Sequence, residues 1–212
     1  MISRLPERIP LAGRYATLVP LDPAAHVEDL WPRLGGEENA ALWTWMPDGP
    51  YLSKADLQTG LQAKAAAPDP LFFTILDAPT GRALGLASLM RIDPKHGVIE
   101  VGGIMFSPEL QKSRIATEAM YLLASYIFES LKNRRYEWKC NALNEPSRRA
   151  AQRLGFQFEG IFRQHMIVKG QNRDTAWFSM LDSEWPARKA AFRKWLNPAN
   201  FDADGMQLSP LA

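Results

Sequence analysis

Gln111-Lys112-Ser113-Arg114-Ile115-Ala116-Thr117-Glu118-Ala119 carries the clearest structural signal in the chain. The stretch follows a hydrophobic, strand-like run ending at Phe106 and opens directly into an apolar helix. A strand that feeds a tight turn and then a helix start leaves backbone N–H groups without helical partners. Together with the positive end of the helix dipole, those donors form a ready seat for a phosphate. A phosphate-bearing ligand is the expectation, and the flanking segments must say which.

Downstream, Ala116, Ala119, Met120, Leu123, Ala124, Ile127, Phe128 and Leu131 repeat at helical spacing, predicting a helix from Ala116 to about Leu131. Arg135 to Cys140 is then a strand, parallel to the one before the loop because a helix joins them. Upstream, Leu71 to Asp77, Arg82 to Ile92 and Val98 to Phe106 have strand composition with short turns between them, which implies an antiparallel meander. Nearer the N-terminus, Tyr15 to Pro20 reads as a strand, and Asp22-Pro23 starts a helix to about Leu34. A loop rich in large apolar residues runs from Gly35 to Pro50. Ser53 then caps a helix to about Ala66.

Asn144 to Leu154 is a short helix ended by Gly155, and Gln157 to Val168 with Thr175 to Leu181 forms a hairpin. Ser183 to Leu196 is the last helix. The expected architecture is α/β (α+β): a mixed, mostly antiparallel sheet of about seven strands with flanking helices and one central β-α-β unit. Residues 1–196 form a single domain, and 197–212 an irregular tail.

At 212 residues the chain suits one sizeable domain. A net charge of +2 gives no electrostatic case for a nucleic-acid binder. One cysteine, Cys140, excludes an internal disulfide and a thiolate cluster, and the three histidines lack ligand spacing, so no metal is expected. No apolar run approaches the roughly 18 residues of a membrane span, and the charged N-terminus is unlike a signal peptide. A cytoplasmic protein is the default expectation.

The order of elements and three motifs resemble the GCN5-related N-acetyltransferases, the GNAT superfamily. Within it, the chain resembles the RimJ/RimL-type branch that acetylates ribosomal-protein N-termini. The motifs are Val101 to Ala119, then Asn144-Glu145-Pro146-Ser147 leading to Leu154-Gly155-Phe156, then Phe158-Glu159-Gly160. The resemblance covers roughly Arg14 to Trp185. It departs from the family pattern at Arg114, where the loop usually has glycine, and at Ala151, where many members carry a tyrosine acid.

The resemblance implies acetyl-CoA as cosubstrate and a primary amine, either a protein N-terminus or a small molecule, as acceptor, by direct transfer in a ternary complex. It implies cofactor contacts from Met105, Phe106, Gln111, Lys112, Ser113, Arg114, Ile115, Ala116, Thr117, Asn144 and Arg148. It also admits a homodimer, and a CoA-binding sensor or subunit without catalysis is the alternative. Acetyl transfer needs a neutral amine, a polarised carbonyl and a stabilised thiolate. Glu100 is the candidate base or else an ion-paired strand carboxylate. Asn144 binds pantetheine or caps its helix, and Ser147 donates to the thiolate. Gly102-Gly103 suits a bulge or close packing. Cys140 reads as packing rather than nucleophile. Trp43, Trp45, Tyr51 and His165 are the candidate acceptor-binding residues, the aromatic ones lining a pocket or covering the core.

Overall fold

Residues 3–203 and 205–211 are described in the computed structural model. The strands are β1 (Leu11–Ala12), β2 (Ala16–Pro20), β3 (Leu71–Asp77), β4 (Ala83–Asp93), β5 (Val98–Phe106), β6 (Arg135–Asn141), β7 (Gln157–Val168) and β8 (Gln171–Leu181). They form one sheet in the order β1-β2-β3-β4-β5-β6-β8-β7. The eighth strand, beyond the seven expected, is the two-residue β1. Only β5 and β6 run parallel, as their helical connection requires.

Five α-helices cover the sheet: α1 (Pro23–Leu34), α2 (Lys54–Ala66), α3 (Arg114–Ser125), α4 (Glu145–Arg153) and α5 (Trp185–Trp195). Strand alternation divides the core in two. Phe73, Ile99, Val101, Trp138 and Phe178 point into the core shared with α3, α4 and α5. Phe72, Leu86 and Met105 point the other way, under Leu30, Leu57 and Leu61 of α1 and α2.

The helix starts follow from local chemistry. Asp22 Oδ1 accepts from the N–H groups of Ala24 (3.0 Å) and Ala25 (3.3 Å), and Pro23 follows it. Ser53 Oγ accepts from the N–H of Asp56, and Gly155, at φ +96°, ends α4. His26 on α1 sits 2.8 Å from Thr74 Oγ1 of β3 and accepts the Asp22 N–H, and burial pushes its pKa down.

Two expectations change. The helix expected to run to Leu131 leaves α geometry at Ser125 and finishes as a π turn, Tyr126–Ser130. There Tyr126, Ile127 and Phe128 are all buried, more than one face of an ordinary helix can point inward. The apolar loop after Gly35 contains a 3-10 helix, Glu37–Trp43. The segment after α5 is tied down: Trp195 Nε1 donates to Gln207 Oε1 (2.8 Å), Ser209 N–H donates to Asn200 Oδ1 (2.9 Å), and Phe201 pairs with Gln207. Among the described residues no helix is long and apolar enough to cross a membrane, and no cluster of metal-ligating side chains occurs.

Candidate functional site

The parallel ladder between β5 and β6 stops at Val101 and Trp138. Beyond it, Gly102 to Phe106 pairs only with β4, and Lys139 to Asn141 only with β8, so the two strands part. The parting begins at a bulge. Ser88 pairs with Gly102 and Leu86 with Met105, leaving an extra residue on β5, and Gly103 there has φ +56°. A side chain at Gly103 would also strike Phe72 and Ser88, so both readings of the glycine pair hold. A cavity of about 1550 Å³ runs through this gap and reaches both faces of the sheet.

On the face of α3, the loop after β5 supplies the phosphate seat. Gln111 N–H donates to Ser107 O (3.0 Å) to close a turn, Lys112 takes φ +58°, and Ser113 Oγ caps α3 by accepting from Ala116 N–H (3.0 Å). The N–H groups of Lys112, Arg114 and Ile115 have no partner among the described residues. That is the donor set a pyrophosphate requires. Arg114 does not block it with its charge unattended: its guanidinium stacks over the rings of Tyr15 (4.7 Å) and Phe201 (5.7 Å). Arg153 donates to Thr117 Oγ1 (3.2 Å) and lies over Trp195 at 5.0 Å, and burial lowers its pKa. Glu118 holds the whole corner. Its carboxylate accepts from the N–H groups of Arg14 (3.0 Å), Tyr15 (2.5 Å) and Ala16 (2.7 Å), tying α3 to the β1–β2 turn.

At the middle of the gap, Asn144 Oδ1 caps α4 through the Ser147 N–H (3.2 Å) and leaves its amide NH₂ without a partner among the described residues. Ser147 Oγ accepts from the indole N–H of Trp138 at 3.0 Å. With a lone pair so occupied, its own O–H is the group left to donate. Cys140 lies beside it, with its pKa raised by burial against the smaller effect of the Ser147 hydrogen bond. A buried, protonated thiol is the packing residue expected from the sequence.

The opposite face, shared with α1 and α2, carries an ion network. Glu100 meets Arg91 Nη1 with both oxygens (2.7 Å each) and Lys139 Nζ at 2.8 Å. Lys139 continues to Glu137 (2.6 Å) and Arg135 bridges Glu137 (2.7 Å) and Glu159 (2.5 Å). Arg135 is what chiefly holds the Glu159 carboxyl below its usual range. The outer wall is Trp45, Tyr51 and an Asp48–Lys64 ion pair. Burial opposes the Asp48 charge, but bonds from Lys64 and Tyr51 outweigh it and leave its pKa lowered. At the hairpin tip, Lys169 Nζ donates to Trp43 O (2.9 Å) and closes this end.

Most residues singled out from sequence converge on the cavity: Glu100, Asn144 and Ser147, then Met105, Phe106, Gln111 to Thr117, Trp45 and Tyr51. Three do not. Arg148 is turned to Ala142 O and the Phe158 ring, and its neighbours Arg149 and Arg153 reach the cavity instead. Trp43 is a core residue, 1% exposed, with its indole N–H on Leu34 O (2.6 Å). His165 is exposed and bonded to Thr175 Oγ1 (3.0 Å). The β7–β8 register is irregular around Gln164, at φ +50°, and beyond it Met166 and Val168 face the cavity. Trp138, Tyr15, Phe201 and Arg173 were not singled out for the site. Trp138 was the one within reach, since it lies on a strand already assigned beside the cavity.

The family model for the acetyltransferase (GNAT) domain matches residues 16–157. The chain belongs to the GNAT acetyltransferase family. A crystal structure of a GCN5-related N-acetyltransferase from Brucella melitensis is 48% identical, covers 99% of this chain and 95% of that one, and superposes with a TM-score of 0.96. A GNAT-family protein of Chromobacterium violaceum is 37% identical, covers 88% of this chain and 92% of its own, and has a TM-score of 0.82. Among curated proteins, one of Bacillus subtilis (strain 168), provisionally named ribosomal N-acetyltransferase YdaF, is 32% identical over 51% of this chain and 59% of its own length. The chain thus spans about three fifths of the curated relatives it matches. The GNAT resemblance seen in the sequence is borne out, as is the mixed, mostly antiparallel sheet. GNAT acetyltransferases use acetyl-CoA, and the N–H donors of Lys112, Arg114 and Ile115 with the parted strands fit a pyrophosphate followed by an amide-bearing arm.

Proposed function

We propose that this GNAT protein moves the acetyl group of acetyl-CoA to a primary amine by direct transfer, with cofactor and acceptor entering the β5–β6 gap from opposite faces. The observation that carries this reading is the arrangement at the gap, where Ser147 stands on one side and the Glu100 network on the other. The α3 N-terminus holds the pyrophosphate, and the free edges of Gly102 to Phe106 and Lys139 to Asn141 hold the extended arm. Ser147, polarised by Trp138, donates to the departing sulfur.

Glu100 orders Arg91 and Lys139 at the acceptor side. To take the amine proton, directly or through water, it would have to release one of them. The acceptor is a protein N-terminus or a small amine, and the YdaF name favours the former by analogy only. The homodimer and the cytoplasmic location remain parts of this proposal.

Turnover of acetyl-CoA with a panel of amines, read by free-thiol release, tests it. Thiol release that depends on the amine is expected. Tight acetyl-CoA binding with no release for any amine would replace transfer with the sensor reading. Ser147→Ala should lower kcat by roughly ten- to a hundredfold with little change in acetyl-CoA affinity. Unchanged kcat would remove Ser147 from the chemistry.

A further inference from the structure

The charges on the acceptor face do not balance around one residue. Arg91, Lys139 and Arg135 are matched by Glu100, Glu137 and Glu159 in the ion network. Arg173, on β8, stands outside it. It lines the cavity, lies in the electrostatic field of Glu100, Arg91 and Cys140, and forms no ion pair among the described residues. Its Nε is buried without a hydrogen-bond partner. Burial pulls its pKa down and outweighs the opposite pull of Glu100 and Cys140. The adjacent Asp174 does not supply one, because its Oδ1 already accepts from Gln164 N–H (2.7 Å) and Asn172 Nδ2 (2.9 Å). Leaving a buried guanidinium donor unmet is costly, and arginine's forked donors match a carboxylate.

We infer that Arg173 is a specificity residue that pairs with a carboxylate carried by the acceptor amine. The inference rests on the transfer reading above and narrows it: the preferred acceptor is an amino acid, or a peptide whose acidic side chain follows its N-terminus closely. The position supports this. Arg173 is the Cα partner of Met166, which also lines the cavity, and both lie at the end of the hairpin that Lys169 fastens to the Trp43 loop. An acceptor reaching the gap from the α1–α2 face therefore passes this guanidinium.

The test compares matched acceptors at saturating acetyl-CoA: 4-aminobutyrate against its amide, and a seryl-glutamyl amide against the seryl-glutaminyl amide. The expected result is a preference of roughly ten- to a hundredfold in kcat/KM for the acidic member of at least one pair. Which pair shows it identifies the source of the carboxylate. Arg173→Gln should bring that ratio close to one, and Arg173→Lys should restore part of it, which a merely structural loss would not do. Equal use of acidic and neutral acceptors, or a preference that survives Arg173→Gln, overturns the inference and leaves transfer standing. Binding of acetyl-CoA without turnover of any acceptor overturns both.

Discussion

The two ends of the cavity are built on different principles. The α3 end is made of backbone: N–H groups of one loop, a serine cap, and a carboxylate, Glu118, spent on three backbone donors. The acceptor end is made of side chains from α2, β4, β5, β6 and β8, paired by charge, with Arg173 left over. Backbone donors suit a ligand part that never varies. Side-chain charges can be exchanged one at a time, so acceptor preference can change while the phosphate seat stays as it is.

That contrast can be broken by experiment. The largest effect is expected at Glu118. Glu118→Ala strands three backbone N–H groups at the β1–β2 turn and should cost about 3 kcal/mol of stability, a fall in Tm of about 6–12 °C by thermal denaturation. A loss under about 1 kcal/mol would mean the carboxylate is replaceable by water. Next is Trp138→Phe, which removes the indole donor to Ser147 but keeps an aromatic ring against Phe156. It should lower kcat roughly five- to tenfold and leave the KM for acetyl-CoA unchanged. A change confined to KM would move Trp138 out of the transfer step.

Phe201→Ala removes one of the two rings under Arg114 and should do the reverse, raising the KM for acetyl-CoA about fivefold with kcat held. If acceptor KM moved instead, the two ends would not be separable. The smallest effect concerns His26, away from both ends. Its folded pKa lies below the ordinary 6.5, so the unfolded chain binds more protons there. Its contribution is complete above 6.5 and shrinks as pH falls below it. Urea titrations from pH 7.5 to 5 should show this decline, and His26→Gln should flatten it.

The same contrast governs what could be read from sequence. The α3 end is local: Ser113 to Thr117 and Asn144 to Ser147 are short runs whose caps and turns follow from residue type. Nothing local shows how the charge of Arg114 is met, because its partners, Tyr15 and Phe201, lie far away in sequence on either side. Phe201 sits in a segment whose composition suggests only an irregular tail, and nothing local says that Trp195 and Asn200 will fasten it. The acceptor end is assembled by topology alone. Arg173 lies in the polar run Gln171-Asn172-Arg173-Asp174 and looks like turn-side surface until β8 is placed beside β6. His165 lies on a strand whose alternation does not say which face meets the cavity, and Trp43 lies in an aromatic cluster that gives no sign of which ring turns inward.

The parting of β5 from β6 bears on more than chemistry. Half of each strand is sewn to the sheet along a single seam, and a cosubstrate arm lying between them would stitch the other. Bound ligand at a hundredfold over its Kd is worth about 2.7 kcal/mol to the folded form. The supply of acetyl donor would then set how long this protein resists a protease, as well as how fast it works.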